Sequence, residues 1–182
     1  SAGIDPHKVV FSGVGKQVKE IEYALEADIL MFNVESSSEL HLINQAALQL
    51  GKKARIALRV NPHIDPRTHP YISTGLKKNK FGIEITRALE DYRDAQKLPW
   101  IEIIGVDCHI GSQITELQPF SEAVGKIQEL VSLLQEKGID ITHIDLGGGL
   151  GITYQEEQPP HPREYGVVLV NALKGLGCTL IL

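Results

Sequence analysis

Short apolar runs alternate with amphipathic stretches along this chain, an arrangement that predicts parallel strands joined by crossover helices. Six runs read as strands: Val9 to Phe11, Ile29 to Val34, Arg55 to Val60, Ile103 to Cys108, His143 to Leu146 and Cys178 to Leu182. Five helical patterns lie between them. Val18, Ile21 and Leu25 draw a stripe after Gly15. Leu40, Ile43, Ala47 and Leu50 draw the next, opened by an S-x-x-E capping box from Ser36 to Glu39 and stopped at Gly51. Leu89, Tyr92 and Ala95 precede Pro99, and Phe120, Val124, Ile127, Val131 and Leu134 run on to Gly138. Pro162 opens a last helix through Tyr165, Leu169 and Leu173.

Two connections, 61–80 ("NPHIDPRTHPYISTGLKKNK") and 147–161 ("GGGLGITYQEEQPPH"), are long and polar for a crossover. Loops of that kind in a compact domain are more often functional than idle. Polar and small residues also gather at the carboxyl ends of the strands: Ser12 and Gly13, Asn33 and Glu35, Arg59 and Asn61, His109 to Ser112, and Gly147 to Gly149. That edge of a parallel sheet is where a TIM barrel or a doubly wound sheet binds its ligand. His109 alone reads as a core histidine before a turn. Among so many polar strand ends it becomes a candidate ligand contact.

Composition narrows the partner. The chain has 182 residues, 42% hydrophobic and 23% charged, which suits a single globular domain without a linker or internal repeat. A net charge of -5 with scattered Lys and Arg offers no basic stripe for nucleic acid. The apolar runs are strand-sized, so no membrane span is expected, and "SAGIDPHKVV" lacks the features of a signal peptide. Cys108 and Cys178 have no partner at metal spacing and read as reduced, structural residues, so no metal site is expected. The expected setting is the cytoplasm and the expected partner a small molecule.

The glycine motifs exclude nucleotides more readily than they choose a ligand. "GGGLG" from Gly147 follows a strand, but a dinucleotide turn must run straight into a helix, and here Gln-Glu-Glu-Gln-Pro-Pro follows. What remains is either a tight turn or a backbone nest for a single phosphate. "SGVGK" lacks a P-loop's earlier glycine and its following Ser or Thr, because Val10 and Gln17 stand in those places. Lys16 then reads as a first-turn helix residue. Glu35 and Asp145 read as general bases or, more simply, as carboxylates accepting turn or helix N–H groups.

"FSGVGK", "FNVES", "LRVNP", "HPYISTGLKKNKFGI", "GVDCHIGSQ", "HIDLGGGLGI" and "YQEEQPP" occur here in an order and spacing that resembles the diaminopimelate decarboxylases. These belong to the pyridoxal-phosphate fold type that includes ornithine decarboxylase and alanine racemase. The resemblance covers essentially the whole chain. It implies a fold, an α/β incomplete TIM-type (β/α)8 barrel of about six parallel strands with crossover helices, in which 1–182 is part of a pyridoxal-phosphate-binding barrel domain. It implies pyridoxal 5'-phosphate as cofactor and an amino acid as substrate, with meso-2,6-diaminopimelate converted to L-lysine. Carried over by residue, His109 matches the histidine stacked on the pyridine ring. Ser112 and the turn Gly147, Gly148 and Gly149 match the groups that hold the phosphate, Gly149 most directly. Arg59 matches an arginine beside the cofactor that orients neighbours or binds an anion. Ser73, Thr74 and Gly75 lie in a loop characteristic of the diaminopimelate branch.

The same resemblance sets out what the chain lacks. The family's covalent-anchor lysine, in a Tyr-Ala-x-Lys segment, is expected before residue 1; the acidic partner of the pyridine nitrogen, a Glu-Pro-Gly-Arg turn, a Cys-Glu-Ser segment and a β-rich domain are expected after Leu182. The chain is therefore expected to be an excerpt of a longer enzyme, inactive alone, whose whole protein is a homodimer. Two other readings stay open: a non-catalytic homologue that binds the cofactor or a protein partner, and an ornithine or arginine decarboxylase relative.

Overall fold

The computed structural model describes residues 3–64 and 81–182. The chain alternates strand and helix: β1 (Val10–Phe11), α1 (Val18–Glu26), β2 (Met31–Val34), α2 (Ser37–Leu50), β3 (Ala54–Asn61), β4 (Ile83–Glu84), α3 (Ile85–Gln96), β5 (Ile101–Asp107), α4 (Gln118–Glu136), β6 (His143–Asp145), α5 (Pro162–Leu173) and β7 (Thr179–Ile181). The main sheet runs β1-β2-β3-β5-β6-β7, every pair parallel, in the order of the chain. Six sequential parallel strands with helices between them make part of a (β/α)8 barrel, as expected. The two-residue β4 is an addition that the apolar pattern misses. It pairs with the far end of β3, at Val60 and Asn61, off the path of the main sheet.

Helix stripes and strand interiors merge into one core. Ile21, Ile43, Tyr92, Ile127, Leu134 and Leu169 from the helices and Phe32, Ile56, Leu58, Val106 and Ile144 from the strands are buried in a single cluster. Each such large side chain contributes roughly 1.5–3 kcal/mol by leaving water. The helix ends follow their sequence signals: Ser36 Oγ accepts from Glu39 N–H at 3.2 Å, and Gly51 ends α2 at φ +63°.

One half of the expected capping box is diverted. Glu39 Oε1 accepts from Glu35 N–H at 3.1 Å and from Lys16 Nζ at 2.7 Å, instead of closing back on Ser36. Lys16 is accordingly not a first-turn helix residue. Helix α1 begins at Val18, and the Lys16 ammonium is buried, donating also to Gly13 O at 2.7 Å and Asn33 O at 2.8 Å. A buried ammonium needs three acceptors, and the chain supplies them from the end of β1, from β2 and from α2.

A bulge sets the phase of β5. Ile56 pairs with Ile103, but Ala57 pairs with Gly105, so Ile104 is an extra residue. Glycine suits this point: a Cβ on Gly105 would lie 2.9 Å from His143 O. The hydroxyl of the fully buried Tyr92 donates to Gly105 O at 2.8 Å, tying α3 to the bulge. Two residues later the strand delivers Asp107 to the site.

Candidate active site

The carboxyl ends of the strands enclose a cavity of about 920 Å³. His109, Arg59, Ser112, Gly147 and Gly148 all line it, so sequence positions 88 residues apart meet at one place, from Arg59 to Gly147. Gly149 stands just behind the lining, where a Cβ would fall 2.2 Å from Gly111 O. Ser73, Thr74 and Gly75 lie outside the described residues.

The two loops that carry these residues are stitched together. Ile114 N–H donates to Gly149 O at 2.8 Å, and Gly151 N–H donates to Ile114 O at 2.9 Å. Gln113 adds its side chain, accepting from Ile152 N–H at 3.1 Å and donating to Ile152 O. Gly147 has φ +60°, and a Cβ there would come within 2.6 Å of His109 Nδ1. Glycine is required on both counts, the left-handed backbone and the contact with the imidazole.

Gly147 N–H is already engaged, donating to Asp145 Oδ1 at 2.8 Å. Asp145 is thus a carboxylate that accepts a turn N–H, the simpler of its two expected readings. No hydrogen bond from the N–H of Gly148 or Gly149 forms among the described residues.

Arg59 is committed to Glu35, its Nη1 donating to both carboxylate oxygens at 2.7 and 2.9 Å. Glu35 also accepts from Gly13 N–H at 3.2 Å, so it too accepts a turn N–H. The guanidinium carbon lies 5.8 Å from the Phe81 ring centre, a cation–π contact. Its buried Nε has no partner among the described residues.

Two residues of the site escaped the sequence reading, and a third stood there only as a polar strand end. Phe81 forms a wall of the cavity. Asn33, the polar strand end, donates from Nδ2 to Asp145 Oδ2 at 2.8 Å. Asp107 is a buried carboxyl in register between Arg59 on β3 and Asp145 on β6. Burial, and after it the charge of Asp145, pushes the Asp107 acid up to about 8, and its Oδ2 has no partner among the described residues. Arg59 lowers that value only in part. Burial, and then Arg59, holds the His109 imidazole below its usual range, so the ring is neutral at pH 7. Burial pushes the neighbouring Cys108 thiol up to about 12, which keeps it an inert thiol. The signal for Asp107 was present in "GVDCHIGSQ", as an acid inside an otherwise apolar strand end.

No group of three or more His, Cys, Asp or Glu that could hold a metal ion occurs among the described residues, and no described helix is long and apolar enough to cross a membrane.

Comparison with known proteins agrees with this geometry. Residues 1–178 match the family described as pyridoxal-dependent decarboxylase, pyridoxal binding domain. The chain is 58% identical over 174 residues to the diaminopimelate decarboxylase of Haemophilus influenzae, covering 96% of this chain and 42% of that one. With that of Aquifex aeolicus it shares 50% identity over 182 residues, 100% of this chain and 43% of the relative. The solved structure of the Helicobacter pylori diaminopimelate decarboxylase complexed with L-lysine matches with a TM-score of 0.91 at 48% identity, over 99% of this chain and 46% of that one. The chain therefore spans less than half the length of the curated relatives it matches. With its sequential parallel strands and its glycine turn set against His109, the chain belongs to the pyridoxal-dependent decarboxylases, within their pyridoxal-binding domain.

Proposed function

We propose that this chain forms the cofactor-holding part of a diaminopimelate decarboxylase, which removes carbon dioxide from meso-2,6-diaminopimelate to give L-lysine. The observation that carries the reading is the cavity itself: the His109 imidazole, the unpaired N–H of Gly148 and the Ser112 residue line one space, with Gly149 directly behind Gly148 in the chain. The donor set fits pyridoxal 5'-phosphate. A phosphate wants several N–H and O–H donors at one point, and the Gly147–Gly149 turn with Ser112 offers them without a lysine. A flat heterocycle wants a flat neighbour, and His109 is held by Gly147 at the cavity wall.

When bound, the cofactor supplies a sink for the electron pair released as carbon dioxide leaves the amino acid. The protein's share is placement and charge. His109 would stand against the ring of the cofactor, and Gly148, Gly149 and Ser112 would hold its phosphate. The Arg59–Glu35 pair is a fixed, charge-balanced wall that orients what lies beside it, while neutral Asp107 keeps a second negative charge away from Asp145.

An amino acid as the substrate is favoured by the relatives crystallised with L-lysine. Homodimerisation and a cytoplasmic setting belong to the same proposal and are supported by the resemblance alone. The test is to incubate the whole protein with pyridoxal phosphate, reduce with borohydride and map the adduct. No described residue lining the cavity is a lysine, so residues 1–182 should carry no stoichiometric label, while diaminopimelate should be decarboxylated far faster than ornithine or arginine. A single full label on a lysine of residues 1–182, or equal activity on ornithine, would overturn the reading.

A further inference from the structure

The Asp145 carboxylate is held from two directions. Oδ1 accepts from Gly147 N–H and Oδ2 from the Asn33 amide, each at 2.8 Å. Asn33 lies on β2 and Asp145 on β6, with β3 and β5 between them in the sheet. The Asn33 bond therefore does not follow the ladder between neighbouring strands; it reaches across the concave side of the sheet. Both residues are buried, with Asn33 at 1% exposure, so this bond forms out of water, where a hydrogen bond to a charged acceptor is strong.

No other described side chain donates to Oδ2. Arg59 is engaged by Glu35, Lys16 by Glu39 and two carbonyls, and Ser12 lies 3.4 Å from the Asn33 amide as a weak further contact. The carboxylate, in turn, holds the glycine turn: it takes the N–H of Gly147, at which a Cβ would meet the His109 ring. The backbone carbonyl of Asp145 separately accepts from Cys108 N–H at 2.8 Å, a bond between the strands that needs neither side chain. The turn thus hangs on the Asp145 carboxylate, and the carboxylate hangs on Asn33.

We propose that Asn33 is a positioning residue: by holding Asp145 from the opposite side of the sheet, it fixes the glycine turn on which His109 and the cofactor phosphate rest. The inference rests on the pyridoxal reading of the cavity. It gives Asn33 no contact with the reacting atoms. Its effect should therefore appear in how tightly and in what geometry the phosphate is held.

The test compares N33A, N33D and the exchange N33D/D145N in the whole protein. Pyridoxal phosphate affinity is measured by equilibrium titration, and the bound phosphate by its 31P resonance. Removing the amide donor in N33A should weaken the cofactor about 10-fold and shift the resonance. N33D, which sets two carboxylates against each other, should weaken it further. The exchange puts an amide donor on position 145 and an acceptor on position 33, so it should recover most of the affinity and return the resonance toward wild type. Wild-type affinity and resonance in N33A would overturn the inference, as would a folded exchange protein, native by circular dichroism, that binds no better than N33A. If the wild-type protein itself does not bind pyridoxal phosphate, the site reading fails first and takes the inference with it.

Discussion

Asp107 and Asp145 stand side by side on β5 and β6 with one guanidinium nearby, and that guanidinium is already matched by Glu35. One of two neighbouring buried acids must then stay protonated, and the lack of a partner on Asp107 Oδ2 marks which. Its pKa rises in the fold from 3.8 to about 8, so the neutral acid favours the fold. That contribution is fully present below the unfolded value and is lost as pH rises through about 8. An amide in place of the acid would keep the shape and never ionise. D107N should therefore gain stability relative to wild type as pH climbs from 4 to 8, by no more than about 1.4 kcal/mol per pH unit, in thermal melts at a series of pH values. A constant difference across that range would mean that Asp107 is ionised throughout. Their place at polar strand ends made His109, Ser112 and the glycines candidates, and the family resemblance gave them roles. An acid's protonation state is invisible in sequence, since it depends on burial and on a neighbour 38 residues away in the chain, Asp107 against Asp145.

At the scale of elements, periodicity located the six main strands and four of the five helices to within about two residues, because each buries a face with a regular repeat, while α3 starts at Ile85, four residues before the Leu89 that opens its stripe. What periodicity could not see was polar connection between elements. Lys16 shows the difference: its place before an amphipathic stripe resembled a helix start, yet its ammonium joins the end of β1 to β2 and α2. Removing it in K16M would leave the Glu39 carboxylate buried beside two carbonyls that have lost their donor. Urea unfolding should show a loss of about 3–5 kcal/mol, typical of stranding one member of a buried ion pair. K16M/E39Q removes the stranded charge and should recover part of that loss. The two-residue β4 and the bulge at Ile104 were equally silent, since neither spans enough residues to establish a period.

For the whole molecule, a site assembled from strand ends across the sheet links ligand binding to the fold. Pyridoxal phosphate bound to the native state at 100 times its dissociation constant should raise stability by about 2.7 kcal/mol, read as an upward shift in the melting temperature of the whole protein. An unchanged melting temperature at that concentration would show that pyridoxal phosphate does not bind the native state in preference to the unfolded chain. The barrel architecture was legible because sequential strands with intervening helices leave few topologies. The meeting of distant loops became visible only in three dimensions. The interlocked backbone of 111–114 and 149–152 has a further result for how such a protein can change over time. With Gly149 seated against Gly111 and the peptide groups of each loop bonded to the other, a one-residue insertion in either loop throws every one of these bonds out of step at once. The two loops are therefore tied in length, and a viable indel in one demands its counterpart in the other, 39 residues along the chain where Gln113 meets Ile152.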